Sequence, residues 1–116
     1  MSPAQGGTVL RVLYVEDDTD TREMVSFSLA SLTPACIVTG VETCAEGLLA
    51  ARANRFDLFM IDSRLPDGIG IGIDLCRQIR AFDKKTPIIF CSGFTDDSHR
   101  RTAMNCGATL FPRQAL

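Results

Sequence analysis

Tryptophan is absent from this chain, and tyrosine and histidine occur once each, as Tyr14 and His99. The small aromatic share argues against a platform on which bases of single-stranded nucleic acid stack. Neither sign of charge dominates: the formal net charge is −2, so nothing draws the chain to nucleic acid or to an acidic membrane surface. No apolar run approaches the length of a membrane-spanning helix. The opening Met-Ser-Pro-Ala-Gln-Gly-Gly-Thr lacks the basic and apolar segments of a signal peptide, so the expectation is a cytoplasmic protein. There is also no Cys-x-x-Cys pair. The five cysteines, Cys36, Cys44, Cys76, Cys91 and Cys106, are odd in number and widely spaced, and with one histidine they make a poor zinc set. They read as small, mostly buried hydrophobes in a reducing compartment.

What is present suits one domain with one core, since 116 residues are too few for two. Residues 1–8 are small and polar and read as a disordered lead-in. Val9–Val15, apolar except for Arg11, predicts a first strand that stops at Glu16-Asp17-Asp18. Asp20 and Glu23 resemble a capping box, and Val25, Leu29 and Leu32 recur at helical spacing, so a helix is expected up to Pro34. Cys36–Thr39 predicts a short second strand ended by Gly40. A helix follows from Thr43, with Ala45, Leu48, Leu49 and Ala53 expected on one face.

Phe56–Ile61 is the third predicted strand, its Leu-Phe-Met-Ile run suited to burial on both faces. It ends on Asp62, after which Pro66, Gly68 and Gly70 force a loop. The glycines of Gly68–Ile73 read as a flexible loop rather than a phosphate-cradling P-loop, because no helix-opening Gly-Lys-Ser/Thr follows. Leu75, Ile79 and Phe82 mark the next helix, and residues 83–87 a turn. Ile88–Cys91 is a fourth strand ending at Ser92-Gly93. A helix over Thr95–Asn105 is capped by Thr95 and closed by Gly107, and Thr109–Phe111 is a fifth strand limited by Pro112. His99-Arg100-Arg101 reads as a solvated face. The alternation predicts a parallel sheet with helices on both faces.

Polar groups thus close three strands: Glu16 and Asp17 the first, Asp62 the third, Ser92 the fourth. Strand ends of an open α/β sheet are where such folds place their chemistry, and Asp62 reads as the reactive centre. If the first and third strands are neighbours, three carboxylates meet, an arrangement that calls for a cation. An all-oxygen donor set favours a hard ion, Mg²⁺ first. Asp18 and Asp20 read instead as turn or cap residues.

Four segments in register, Val-Glu-Asp-Asp, Met-Ile-Asp-Ser-Arg-Leu-Pro-Asp-Gly, Ile-Ile-Phe-Cys-Ser-Gly and Cys-Gly-Ala-Thr-Leu-Phe, resemble the receiver domain of two-component response regulators. The resemblance runs from Val9 to the last residue, and makes 9–116 one receiver domain. It implies a flavodoxin-like doubly wound five-stranded parallel sheet of order 2-1-3-4-5. After the fifth strand only Pro112–Leu116 remain, too few for the fifth helix, so the domain reads as unusually short or cut from a longer chain. Asp62 then matches the phosphoacceptor that takes a phosphoryl group from a histidine kinase or phosphotransfer protein. Glu16 and Asp17 match the acidic pair that holds Mg²⁺, Asp17 directly and Glu16 through water, and the backbone carbonyl of Arg64 matches a further metal ligand. Ser92 matches the hydroxyl that contacts the phosphoryl group, and Phe111 the aromatic that turns inward with it. Such a domain is a signalling module that catalyses only its own phosphorylation and dephosphorylation, with a second copy of the chain among its candidate partners.

One departure stands out. Counted without gaps from Gly107-Ala108, the family's lysine falls on Gln114 and its following proline on Ala115. Glutamine can donate a hydrogen bond but carries no charge. The alternative reading is therefore a pseudo-receiver that keeps the fold as an interaction module without switching. A third, a metal-dependent hydrolase of the phosphatase type, is weakened because Arg64 stands where those enzymes carry a second aspartate.

Overall fold

The computed structural model describes residues 9–32, 35–62, 69–91, 101, 104–105 and 107–108. Among these, four strands form one parallel sheet: β1 (Leu10–Val15), β2 (Cys36–Val41), β3 (Leu58–Ile61) and β4 (Ile88–Phe90). Their spatial order is β2-β1-β3-β4, the doubly wound, flavodoxin-like arrangement. Helices α1 (Thr19–Ala30), α2 (Cys44–Ala53) and α3 (Ile69–Arg80) fill the crossovers. The expected lead-in, the fifth strand and most of the helix before it lie outside the described residues. Arg101, Met104 and Asn105 are helical, and Gly107 follows at φ +112°, the conformation that favours glycine after a helix.

Val12–Val15 are buried on both sides, as expected of a strand flanked by β2 and β3. Side chains alternate across the sheet. Leu13, Val15, Phe59, Ile61, Ile88 and Phe90 face one way and meet Ala51 of α2 and Ile73, Leu75, Cys76 and Ile79 of α3 in a single core. On the other face, Arg22 of α1 lies over Gly40, the register partner of Tyr14. Helices therefore cover both faces.

Several local expectations are corrected. The N-cap of α1 is Asp18, whose side chain accepts from the Thr21 N–H at 2.8 Å, not Asp20, and the helix stops at Ala30 rather than Pro34. A carboxylate at the cap satisfies an orphan donor of the first turn, which a residue already inside the helix cannot do. Strand β2 runs through Gly40 to Val41 because its pairing with β1 continues to Val15. Helix α2 does not bury Ala45, Leu49 and Ala53; its inner positions are Gly47 and Ala51, and Leu49 is 69% exposed. Helix α3 begins at Ile69, inside the stretch read as a loop, because burial of Ile73, Cys76 and Ile79 outweighs the poor helix propensity of its glycines. Phe82 lies beyond that helix, exposed, with the Arg52 guanidinium 5.6 Å from its ring centroid.

Gly47 explains how closely α2 approaches the sheet. A Cβ there would lie 2.9 Å from Val15 Cγ2 and 3.4 Å from Leu75 Cδ2. Valine is stiff at χ1 and cannot swing aside. Gly47→Ala is expected to lose about 1 kcal/mol in urea unfolding despite its better helix propensity, because overpacking outweighs a gain of about 1 kcal/mol. A more stable variant would show that the helix relaxes away from β1.

Candidate functional site

The last residues of β1, β3 and β4, namely Val15, Ile61 and Phe90, are level across the sheet. The ladder continues one residue beyond each. Glu16 N–H donates to the Val41 carbonyl (3.0 Å), Asp62 N–H to Val15 (2.9 Å) and Cys91 N–H to Ile61 (2.9 Å). Glu16, Asp62 and Cys91 thus form a row along the carboxyl edge of the sheet, and Asp17 follows Glu16 into the crossover. Carboxylate oxygens of Glu16, Asp17 and Asp62 lie within 4.8 Å of one another. Glu16 and Asp62 are buried, at 7% and 6% exposure, whereas Asp17 is open to solvent. The expected meeting of three acids at neighbouring strand ends is therefore present in the geometry.

Glu16 is held on three sides. Its Oε1 accepts from the Tyr14 hydroxyl at 3.3 Å and its Oε2 from the Asp18 N–H at 3.0 Å, while its backbone carbonyl accepts from Arg22 Nη1 at 2.7 Å. Burial pushes its carboxyl above the usual glutamate range; the Asp18 N–H pulls against this, and the charge of Asp62 adds to it. Tyr14 is likewise held above the usual phenol range, by burial and then by Glu16. The Cys91 thiol is pushed up to about 12 by burial and then by Asp62 and Glu16, which keeps it protonated and unreactive at neutral pH. All these shifts report an accumulation of negative charge in a dry place.

Such a pocket suits a hard divalent cation: it offers several oxygen donors and its charges are destabilising without one. The other expected site residues, Arg64, Ser92, Phe111 and Gln114, lie outside the described residues. Ser92 directly follows Cys91 in the sequence. Tyr14 and Arg22 join the site without being among the residues expected there. For Tyr14 a signal existed, since it stands two residues before Glu16 on a strand and so shares its face. For Arg22 no periodicity pointed to the loop. A cavity of about 450 Å³, lined by Asn54, Phe56, Phe82 and Lys85 among others, includes none of Glu16, Asp17 and Asp62.

An acidic pocket at the carboxyl edge of a flavodoxin-like sheet defines the class. Residues 12–111 match the family described as the response regulator receiver domain, and the chain belongs to that family. It is 37% identical over 98 residues to the transcriptional regulatory protein CseB of Streptomyces avermitilis, an alignment covering 84% of this chain but 39% of that protein. The chain thus spans well under half of that relative. Among solved structures, the chemotaxis response regulator CheY4 of Vibrio cholerae superposes with a TM-score of 0.81 at 26% identity, covering 94% of this chain and 89% of that one. The receiver domain of the sensor histidine kinase PA1611 from Pseudomonas aeruginosa shares the fold (TM-score 0.77, 24% identity, 94% and 88% covered) and is described with a magnesium ion coordinated in its active-site cleft. Receiver domains are signalling modules rather than turnover enzymes.

The raised Glu16 value has a definite sign. A carboxyl whose folded value exceeds its ordinary 4.5 contributes stability that is full below that value and is lost as pH rises through the folded one. In EDTA, Glu16→Gln is therefore expected to gain stability on the parent as pH rises from 4.5 towards about 7 in urea unfolding. A difference independent of pH would contradict the burial and charge argument.

Proposed function

We propose that the domain accepts a phosphoryl group on Asp62 from the phosphohistidine of a histidine kinase or phosphotransfer protein. The observation that carries this is the convergence of Glu16, Asp17 and Asp62 within 4.8 Å, with Asp62 buried at the end of a central strand. An Asp62 carboxylate oxygen attacks phosphorus in line. The phosphorus–nitrogen bond to the donor imidazole breaks, the imidazole leaves with the electron pair, and an acyl phosphate forms on Asp62. The attacking group is already an anion, so no general base is needed, and positioning carries most of the catalysis.

Mg²⁺ would be held by Asp17, Asp62, the Arg64 carbonyl and, through water, Glu16; when bound, it neutralises charge on the phosphoryl oxygens. An indirect role for Glu16 agrees with both of its carboxylate oxygens being engaged by Tyr14 and Asp18. The magnesium described for the PA1611 receiver domain supports the choice of ion. Ser92 would donate to the phosphoryl group and move with it, and Phe111 would follow. The new group adds about one to two negative charges, enough to bias a packed two-state element.

Incubation with acetyl phosphate and Mg²⁺ is expected to add the mass of one phosphoryl group, and Asp62→Asn to reduce labelling to background. Labelling that survives that substitution, or that proceeds equally in EDTA, would refute the assignment. Millimolar Mg²⁺ should also raise the unfolding free energy of the parent, by about 1.4 kcal/mol at roughly ten times its dissociation constant, and so its urea midpoint.

The second reading, an interaction module that does not switch, is favoured by Gln114 at the lysine position. Without the lysine ammonium to meet the phosphoryl oxygens beside Mg²⁺, labelling should be slow. If the parent resists acetyl phosphate while Gln114→Lys becomes labelled, this second reading holds; rapid labelling of the parent removes it.

A further inference from the structure

We infer that Arg22 is a positioning residue for the metal-binding acids, an inference that rests on the proposed Mg²⁺ site. Arg22 stands on the first turns of α1, and its guanidinium reaches back along the sheet to the crossover that carries Glu16 and Asp17. Nη1 donates to the Glu16 carbonyl at 2.7 Å, and Nη2 lies 3.4 Å from Glu42 Oε2 in the β2–α2 connection. The Arg22 side chain is only 15% exposed, so its bond to the Glu16 carbonyl is partly shielded from water and thereby strengthened, whereas the Glu42 contact is exposed. One planar group thus joins three segments: the start of α1, the end of β1 and the end of β2. Lysine, a compact point charge, cannot reproduce two bonds in fixed directions.

The path of the side chain is also built. It passes over Gly40, where a Cβ would lie 2.8 Å from Arg22 Cδ and 3.0 Å from Cγ. Any side chain at position 40 would displace the arginine stem. The carbonyl that Arg22 grips belongs to the residue whose carboxylate faces the pocket. Fixing that peptide sets where the Glu16 and Asp17 carboxylates stand relative to Asp62, and the bond goes to a carbonyl, leaving the acids available to a cation. Magnesium demands near-ideal geometry, so a small backbone shift at Glu16 costs affinity.

Tyr14 supplies the readout. It is the only tyrosine, there is no tryptophan, and its hydroxyl is bonded to Glu16 Oε1. Mg²⁺ titrations followed by tyrosine emission should show Arg22→Ala weakening binding about tenfold, as loss of outer-shell support does elsewhere, with Arg22→Lys in between. Gly40→Ala should weaken binding in the same direction, and the Arg22→Ala/Gly40→Ala double variant should be no worse than Arg22→Ala alone, since both act through one contact. Glu42→Gln should stay near the parent, because Glu42 itself is exposed. Should Arg22→Ala fail to fold, the magnesium affinity of Gly40→Ala decides the matter. A merely structural arginine would lower stability in EDTA and leave the magnesium affinity of the folded protein unchanged. Equal affinities in the parent and in the Arg22 or Gly40 variants, or additive losses in the double variant, would overturn this inference alone. A parent that does not bind Mg²⁺ would overturn it together with the metal site on which it rests.

Discussion

The register of the parallel ladder is the constraint on which both the core and the site depend. Val15, Ile61 and Phe90 stand level, and each belongs to the side-chain row that fills the core beneath α2 and α3. A slip of one residue would turn that row to the opposite face and separate Asp62 from Glu16 at the same stroke. The helices reinforce the register. Gly47 brings α2 against Val15, and a Cβ on Gly72 of α3 would come within 3.4 Å of Phe90, Ile61 and the Asp62 carbonyl. The carboxyl edge is thus held from the strands and from the helices packed on them.

Against this rigid frame, the pocket is an electrostatic strain. Two carboxyl groups are buried side by side, and the hydrogen bonds from Tyr14 and Asp18 orient Glu16. A group of this kind lowers stability, and it persists where the surrounding fold over-determines it, as functional sites commonly do. The burial of Val12–Val15, Phe59, Ile61, Ile79 and Phe90 supplies that excess. The same dryness that makes the ionised acids costly makes a cation or a phosphoryl group placed among them matter more to the energy of the domain.

Much of this is legible in the residues. Apolar runs ending abruptly on acids locate β1 and β3, and alternation with helices implies the parallel sheet. Three rules mislead in instructive ways. Ranking side chains by hydrophobicity puts Leu49 inside α2, whereas close packing on Val15 selects the smallest residue, Gly47, for the inner face. Treating glycines as loop signals hides the start of α3, where tertiary burial overrides propensity. The Asp20–Glu23 spacing suggests a cap at Asp20, yet Asp18 is nearer the strand end and reaches the Thr21 N–H. By contrast, the expected helix start at Thr43 holds: Thr43 is the N-cap of α2, and Glu46 closes a capping box with it. Arg22 cannot be read from pattern, since its role depends on the space left by Gly40, eighteen residues away on strand β2.

The two sides of Glu16 show how position and charge are separated. Its carboxylate faces the other acids, where negative potential is needed to attract a cation. Its carbonyl faces Arg22, where a cationic donor can hold the backbone. Had the guanidinium reached the carboxylates instead, it would have neutralised the charge gathered at this edge of the sheet. The clamp also makes α1 depend on the site more than on the core. No residue of α1 is buried, and Met24 and Phe27 are exposed, so its placement relies on the Asp18 cap, the Arg22 bonds and its contact with β2. A shift in the Glu16 peptide would therefore be felt first by α1, the one of the three described helices with no buried residue to resist it.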